Sequence, residues 1–446
     1  MRASLHGAIG VAVLVAVFTA GCGGGGSDAV RVGVLADCTG IFGSLRDVMV
    51  GAAEVPLLER GARPVGAKPS EGVTGARVAG KPVHLVLGCS EWSAYRVLIA
   101  EARRLVEKEG VDIVVGPSGE SDGLVLRELA RRYPRVSFVL AQSRAPETTL
   151  RNPARNVFRF QPDAAQLTAG LGSYAYRDLG WRTAAVVAGD YVLSWPEVAG
   201  FVAEFCALGG RVVSRIWTPA AAPLTEGLAT RIPRGVDGVA LIPAIAFVDW
   251  AGFVKAYARR RPDVAEHLVL GPEALLEKSN RINAARLAPG VVGGDQGRFD
   301  RKNSIWRRMQ HELAQTFPGV APQRSSPAEF PLMVAYRNAM EATLAALERV
   351  DGDPARLGPA LARLELDGPT GRIRLDANRQ AIAPVYLSRV GRDASGKPTV
   401  RMLRVVPNVE QTFGGYFTSM TPPPTRTTPA CRRTATQPTW TLRSRR

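Results

Sequence analysis

The sequence predicts an α/β fold in two lobes, each built around a parallel sheet. The chain has 446 residues, which is longer than one hydrophobic core usually spans. From Val30 onward, short β-branched runs alternate with amphipathic helical segments, the pattern of repeated βαβ units. This alternation occurs in two successive series, so we expect two Rossmann-like sheets.

The first series runs from residue 30 to residue 140. Its predicted strands are 30–35, 83–87, 111–115 and 136–140, and its predicted helices lie near 43–59, 93–109 and 121–132. Each strand leads into a helix, which is the order of a parallel sheet that is covered on both faces.

The second series follows an extended segment, 153–162, that is flanked by prolines and predicts a stiff crossing between close lobes. Its predicted strands are 183–187, 211–216, 238–242 and 267–270, and its predicted helices are 164–178, 196–209, 224–233 and 246–260. A long apolar helix at 328–350 is expected to return to the first sheet. Late strands are predicted at 371–376, 384–390 and 400–406.

The N-terminus has the organisation of a secretory signal that ends at a cysteine. Arg2 precedes an apolar run at 8–18, and small residues lead to Cys22. The run is shorter than the roughly 20 residues of a membrane-spanning helix, and its end resembles the lipobox of bacterial lipoproteins. We expect a signal peptide at 1–22, a lipid on Cys22, a tether at 23–29 and an extracytoplasmic, membrane-anchored protein. A plainly secreted chain or an uncut anchor helix are the alternatives.

The basic charge does not indicate nucleic-acid binding. The net charge is +17, but six arginines lie in an acid-free segment after Thr421. Most other basic residues stand beside acids, as in 101–109, which is typical of a solvated helix face. The segment 419–446 is rich in Pro, Thr and Arg, so we expect a disordered basic tail.

Four cysteines follow Cys22. Cys38 and Cys89 each follow the carboxyl end of a predicted strand, so a disulfide joins them if those strands are neighbours. The alternative is two free buried thiols. Cys206 lies in an apolar helix and is expected to be a small core residue, not the partner of the remote Cys431.

Six landmarks follow one another between Val30 and Val406. They are segments 32–40, 114–118, 156–160, 190–191, 271–273 and 368–376. Their order resembles the type I periplasmic solute-binding proteins, specifically the branched-chain amino-acid-binding family that serves ABC importers. The resemblance implies two lobes joined by three crossings that close on a small solute by hinge motion. The implied lobes are 30–158 with 299–385, and 159–298 with 386–410.

Polar loops of the first lobe are candidates for binding the solute. In open parallel sheets, ligands bind beyond the carboxyl ends of the strands, where the loop 116–122 lies. We expect Ser118 and Ser121 to receive a carboxylate, although an ordinary helix cap is the alternative. The resemblance implies that Ser143 also contacts the solute, whereas Arg144 departs from the family pattern.

Candidates in the second lobe are Asp190, Tyr191, Trp195 and Glu273. The two aromatic side chains are expected to cover the solute, or else to serve plain packing. Glu273 aligns with the acid that holds the ligand ammonium in amino-acid-binding members, with a surface salt bridge as the alternative. The set suits an amino acid, while an amide, an aromatic acid or a polyamine-like cation remains open.

Catalytic chemistry is not expected. The segment 119–123 formally matches G-x-S-x-G, but Ser121 comes several residues after the strand instead of on the turn that follows it. The histidines at 6, 84, 267 and 311 have no paired metal spacing. We therefore predict a solute-binding lipoprotein without cofactor or metal that delivers its ligand to an ABC permease. A sensory module of the same fold and a serine esterase are the alternatives.

Overall fold

The computed structural model describes residues 29–243, 245–246, 248–295, 303–320 and 329–441. The predicted signal peptide, the lipidation site Cys22 and the tether up to residue 28 lie outside the described residues. Within these ranges, no helix has the length and apolar character needed to cross a membrane.

The first segment of the chain forms the first sheet. The strands of this segment are β1 Val30–Asp37, β2 Arg63–Pro64, β3 Val73–Thr74, β4 Arg77–Val78, β5 Lys81–Ser90, β6 Ile113–Val115, β7 Ser137–Leu140 and β8 Val157–Arg159, and β2 and β3 pair only with each other, outside the first sheet. Its helices are α1 Arg46–Leu58, α2 Tyr95–Arg103, α3 Asp122–Ala130 and α4 Glu147–Leu150. The sheet order is β4-β5-β1-β6-β7-β8, and its strands are parallel from β5 to β8.

The middle of the chain forms the second sheet. Its strands are β9 Thr183–Asp190, β10 Arg211–Pro219, β11 Gly238–Ile242, β12 Leu268–Leu270 and β13 Val292–Asp295, and its helices are α5 Leu171–Ser173, α6 Ser194–Ala207, α7 Ala251–Arg260 and α8 Lys278–Leu287. These strands are parallel in the order β10-β9-β11-β12-β13. The predicted α/β fold class is thereby confirmed.

The last part of the chain returns to both lobes. It comprises α9 Ser304–Thr316, α10 Phe330–Glu348, α11 Leu357–Ala362, β14 Leu366–Gly368, β15 Gly371–Leu375, β16 Ala381–Arg392 and β17 Pro398–Val409. Strand β16 joins the second sheet antiparallel to β13, so that sheet is mixed and not wholly parallel.

Each sheet is covered on both faces, as its apolar strands require. One face of the first sheet packs against α1, α9 and α10, and the other packs against α2 and α3. Helix α10 belongs to this first core, in which Met340 and Leu344 are fully buried, so the apolar face at 328–350 does return there. In the second lobe, α6 covers one face and α7 with α8 covers the other.

Two crossings between the lobes lie within the described residues. The first lies after Phe160, which packs in the first core, and before Ala165, which packs in the second. Another runs along β16, where Ala383 belongs to the first core and Val385 to the second. The middle crossing that the resemblance implies, at the expected boundary between 298 and 299, lies outside the described residues. The carboxyl ends of both sheets therefore face one cleft between the lobes.

The C-terminal segment is ordered as far as residue 441, so the prediction of disorder is wrong for its described part. It runs along β10, the edge strand of the second sheet, and Trp217 Nε1 donates to Arg426 O at 3.1 Å. Trp440 packs on Phe413, and its Nε1 donates to Glu204 Oε1 at 3.1 Å. Covering an exposed strand edge explains why a polar segment is held in place.

Both cysteine pairs are disulfides. Cys38 and Cys89 are bonded with their Cα atoms 5.4 Å apart, at the ends of the paired strands β1 and β5. Cys206 is buried, as expected, but it is bonded to Cys431. That part of the prediction is wrong because the ordered C-terminal segment brings together residues separated by 225 positions.

Candidate functional site

A cavity of about 240 Å³ lies in the cleft and is lined by residues of both lobes. Its apolar wall includes Phe42, Leu45, Trp92, Tyr191, Leu193 and Ile245, and its polar end includes Ser118, Glu120, Gln142, Arg144 and Glu273. The start of α10 closes another side through Pro331 and Leu332. Because ligand sites of α/β sheets lie beyond the carboxyl ends of the strands, this cavity is the candidate binding site.

A glycine lets the loop after β6 approach β1 closely. Gly116 has φ +116°, and a Cβ atom there would lie 2.3 Å from Leu35 O. The close approach brings Ser118 to the end of β1, where its hydroxyl donates to Asp37 Oδ2 at 2.5 Å. Asp37 also accepts a hydrogen bond from Ser90 at 2.9 Å. The ends of β1, β5 and β6 are thus tied together beneath the cavity.

The polar end is organised by a buried guanidinium that bridges the lobes. Arg144 Nε and Nη2 donate to the two carboxylate oxygens of Glu120 at 3.1 and 2.8 Å. Its Nη1 donates to Glu273 Oε1, in the second lobe, at 3.2 Å. The side chains of all three residues are at most 12% exposed. Burial alone lowers the pKa of Arg144, but the two carboxylates outweigh it and keep the group charged.

Further carboxyl groups surround this cluster. Burial raises the pKa of Glu197 well above its ordinary value, and the negative charge of Glu273 adds to that shift. Burial, followed by the charge of Asp37, raises the pKa of Asp122 to about 7. The pKa of Glu120 is also raised by burial, against the opposing effect of Arg144. Burial therefore favours the neutral, protonated form of these carboxyl groups over the charged form.

Aromatic rings form the opposite wall. Phe42 and Trp92, from the first lobe, meet edge to face with ring centroids 5.4 Å apart. Tyr191, from the second lobe, lies 5.9 Å from Trp92. The rings meet across the cleft, so they cover the cavity from both lobes and contribute apolar contact when the lobes are closed.

The three predicted serines are placed differently. Ser118 lines the cavity, but its proton is donated to Asp37. Ser143 is fully buried, accepts from Gly123 N at 2.8 Å and donates to Glu120 O at 3.0 Å. Ser121 precedes α3 and is not among the described residues that line the cavity. The hydroxyls of Ser118 and Ser143 thus both donate within the protein, and a role of the three serines in binding a solute stays a prediction.

Of the second-lobe candidates, Tyr191 and Glu273 line the cavity. Asp190 instead accepts from Trp195 Nε1 at 3.0 Å and pairs with Arg426 of the C-terminal segment. The hydrogen bond from Arg426 lowers the pKa of Asp190. Asp190 and Trp195 thus support the loop that carries Tyr191 and do not themselves line the described cavity.

Sequence reasoning missed the central role of Arg144, which it treated as a departure from the family pattern. It also missed Phe42 and Trp92, although both follow strands whose carboxyl ends face the cleft, and that position is the signal that indicates them. Pro331 and Leu332 carry no such signal, because only the tertiary fold brings the start of α10 to the cleft.

Two arrangements that catalytic or metal sites would need were sought among the described residues. Within the described part of the chain, no group of three or more His, Cys, Asp or Glu residues is placed to hold a metal. His267 lies at the opposite end of β12 from the cleft and contacts Asp263 Oδ2 at 3.1 Å.

Several solved structures of transport proteins are similar in fold to this chain. An ABC transporter substrate-binding protein from Sphaerobacter thermophilus is 20% identical with a TM-score of 0.71, covering 86% of this chain and 99% of its own. A solute-binding protein of an ABC transporter from Rhodopseudomonas palustris, solved with p-hydroxybenzoic acid, is 19% identical with a TM-score of 0.68, covering 86% and 98%. A leucine-binding protein from Thermotoga maritima is 18% identical with a TM-score of 0.60, covering 84% and 98%. At identities of 18–20%, the structural likeness shows that these proteins share the fold of this chain.

Sequence comparison with curated proteins gives no match. The family model described as periplasmic binding protein matches residues 29–397, which is most of the chain. This match confirms the resemblance that the order of the sequence landmarks indicates. The chain belongs to the periplasmic binding protein family.

Proposed function

We propose that this protein is the solute-binding component of an ABC importer and captures a small organic solute between its lobes. The observation that carries the proposal is the cavity of about 240 Å³ that both lobes line. Its volume is below the roughly 300–1,000 Å³ of pockets for drug-sized ligands, which favours a small solute.

The cavity favours a solute with an apolar body and one polar end. The aromatic rings of Phe42, Trp92 and Tyr191 form one wall, and the cluster of Glu120, Arg144 and Glu273 forms the other end. Desolvation of the apolar body between these rings supplies affinity, and contacts made only in the closed state drive closure. Amino acids are the solute class expected from the sequence, and an amino acid with an apolar side chain also combines an apolar body with a polar end.

A thermal-shift screen tests the proposal. The soluble protein from residue 29 onward is heated with amino acids, amides, aromatic acids and amines, because a solute that binds only the native state raises Tm. We expect a dose-dependent rise with one solute class. The absence of any shift across the panel, up to millimolar concentrations, would contradict solute capture.

We also propose that the protein works outside the cytoplasm and is anchored through a lipid on Cys22. The sequence before Cys22 and the family membership support this placement. In cells, Cys22→Ser should move the protein from the membrane fraction to the soluble fraction, whereas Ser27→Ala should not. Retention of Cys22→Ser in the membrane would refute the lipid anchor.

A further inference from the structure

A second cavity, the crossing cavity, lies where the chain passes between the lobes and has a volume of about 50 Å³. Its lining includes Pro162 of the first crossing and Pro384 of the crossing along β16. It has three lining residues in common with the cavity in the cleft, namely Gln142, Arg144 and Pro331. The crossing cavity therefore adjoins the candidate binding site at its polar end.

Gln142 lines both cavities with an amide that has no partner. The residue is 6% exposed, and its backbone N–H donates to Pro117 O at 3.0 Å, which fixes its position after β7. Within the described part of the chain, no hydrogen bond reaches its side-chain amide. Buried polar groups are nearly always hydrogen-bonded, so an unpaired amide at this place indicates a partner from outside the chain.

A second unpaired amide lies in the crossing cavity. Asn338 of α10 lines this cavity and is 1% exposed, and neither its Oδ1 nor its Nδ2 has a partner among the described residues. It packs closely on Gly368 of β14, where a Cβ atom would lie 3.0 Å from Asn338 Oδ1. The side chain of Asn338 is therefore held by packing and not by hydrogen bonds.

The size and the chemistry of the crossing cavity suit a small neutral group. A water molecule needs roughly 10–15 Å³ of such space, so a group of about three or four heavy atoms fits. A side-chain amide both donates and accepts hydrogen bonds. A carboxylate would leave the amide oxygens of Gln142 and Asn338 unpaired, and an ammonium would leave their nitrogens unpaired. A carboxamide or ureido group can pair with both atoms of each amide.

We infer that the solute carries a neutral carboxamide or ureido group, which enters the crossing cavity and pairs with Gln142 and Asn338, while its apolar body lies against the aromatic wall of the cleft. This inference rests on the proposed function and narrows its solute class. It assigns recognition of the polar end to two residues outside the set that is expected from the sequence.

Calorimetric titration with isosteric probes tests the inference. The first set is 3-phenylpropanamide, the ketone 4-phenylbutan-2-one, in which a methyl group replaces the amino group, and the acid anion 3-phenylpropanoate. The aliphatic set is isovaleramide, 4-methylpentan-2-one and isovalerate. We expect the better-binding amide to bind at least tenfold more tightly than its matched ketone and acid, because neither of these gives a hydrogen bond to the amide oxygens of the protein.

The outcomes separate the inference from the proposed function. A ketone or acid that binds as tightly as its amide overturns the inference but leaves solute capture intact. The same holds if the thermal-shift panel identifies a solute without a carboxamide or ureido group. If no probe binds and no compound of that panel raises Tm, solute capture itself fails, and the inference fails with it.

Two substitutions that remove the amides test the assigned residues. Gln142→Met and Asn338→Leu approximately keep the shape of each side chain, and each should reduce the preference for the amide over its matched ketone from at least tenfold to below about threefold. Gln315→Met, at an exposed position of α9, is the matched control and should keep the preference. A variant that only perturbs the fold weakens amide and ketone alike and leaves their ratio unchanged. A tenfold preference that persists in either variant would overturn the pairing with that residue.

Discussion

At the scale of single residues, Arg144 is the side chain whose removal should disturb the site most. Its guanidinium is the only cation among the described residues that line the cavity, and it holds Glu120 and Glu273, one from each lobe. A buried ion pair contributes little net stability when intact, but removal of one partner leaves uncompensated buried charge.

Arg144→Leu should therefore destabilise the protein by about 3–5 kcal/mol, measured by urea unfolding at neutral pH. Lowering the pH should reduce the loss, because burial raises the pKa of Glu120 and its protonation removes part of the uncompensated charge. Arg131→Leu, which breaks an exposed pair with Glu128, is the control and should change stability little. Equal effects of the two substitutions would show that the cluster is not buried as described.

The raised pKa of Asp122 predicts that the stability of the protein depends on pH. Its pKa is raised by burial from 3.8 to about 7, so between these values the native state binds a proton that the unfolded state releases. The free energy of unfolding should therefore fall as the pH rises from about 4 to about 7. Asp122→Asn should flatten this slope, whereas Asp351→Asn, at an exposed position, should not. Parallel wild-type and Asp122→Asn curves in urea unfolding would contradict the raised pKa.

At the scale of elements, the C-terminal segment is the main addition to the expected fold. It crosses the edge of β10, where Val212 N lies 3.5 Å from Cys431 Sγ, and it reaches the loop after β9 through Arg426 and Asp190. That loop carries Tyr191, so the segment stabilises one wall of the cavity as well as the second lobe.

Loss of the Cys206–Cys431 disulfide should lower the stability of the second lobe by about 2–4 kcal/mol. Cys431→Ser is the test, measured by thermal unfolding under non-reducing conditions. Cys206→Ser should have a similar effect, and the double variant should add little, since both substitutions remove one bond. Additive losses would mean that the two cysteines act separately.

Local patterns predicted the βα series well, because each buried strand and each amphipathic helix has its own periodicity. They missed the short β13, whose Val-Gly-Gly-Asp sequence has little strand character, and the polar helix α8. They also missed the order of the C-terminal segment, because the contacts of Cys431 and Trp440 are remote in sequence.

The candidate site could be predicted only in part. Of the expected ligand residues, Ser118, Tyr191 and Glu273 line the cavity, whereas Ser143 is buried and bonded within the protein. The sequence could not show this difference, because no local pattern shows which partner a buried hydroxyl has.

At the scale of the whole molecule, two lobes meet around a cavity whose polar and aromatic contacts both cross the cleft. The Arg144–Glu273 pair and the Trp92–Tyr191 contact join the lobes from opposite sides of the cavity. A solute between them shields the charged cluster from water and adds apolar contact, so binding and closure are coupled through the same residues.

The most direct test of solute capture in the cleft is to fill the cleft. The best compound of the thermal-shift panel is titrated by calorimetry into wild type, into Ala246→Trp, which places an indole in the cavity lining, and into Ile282→Trp, on the exposed face of α8. We predict one binding site per chain in wild type and in Ile282→Trp. Binding to Ala246→Trp should be at least a hundredfold weaker, a loss of about 2.7 kcal/mol of binding free energy. All three proteins should unfold with similar Tm values. Unchanged affinity in Ala246→Trp would contradict capture of the solute between the lobes.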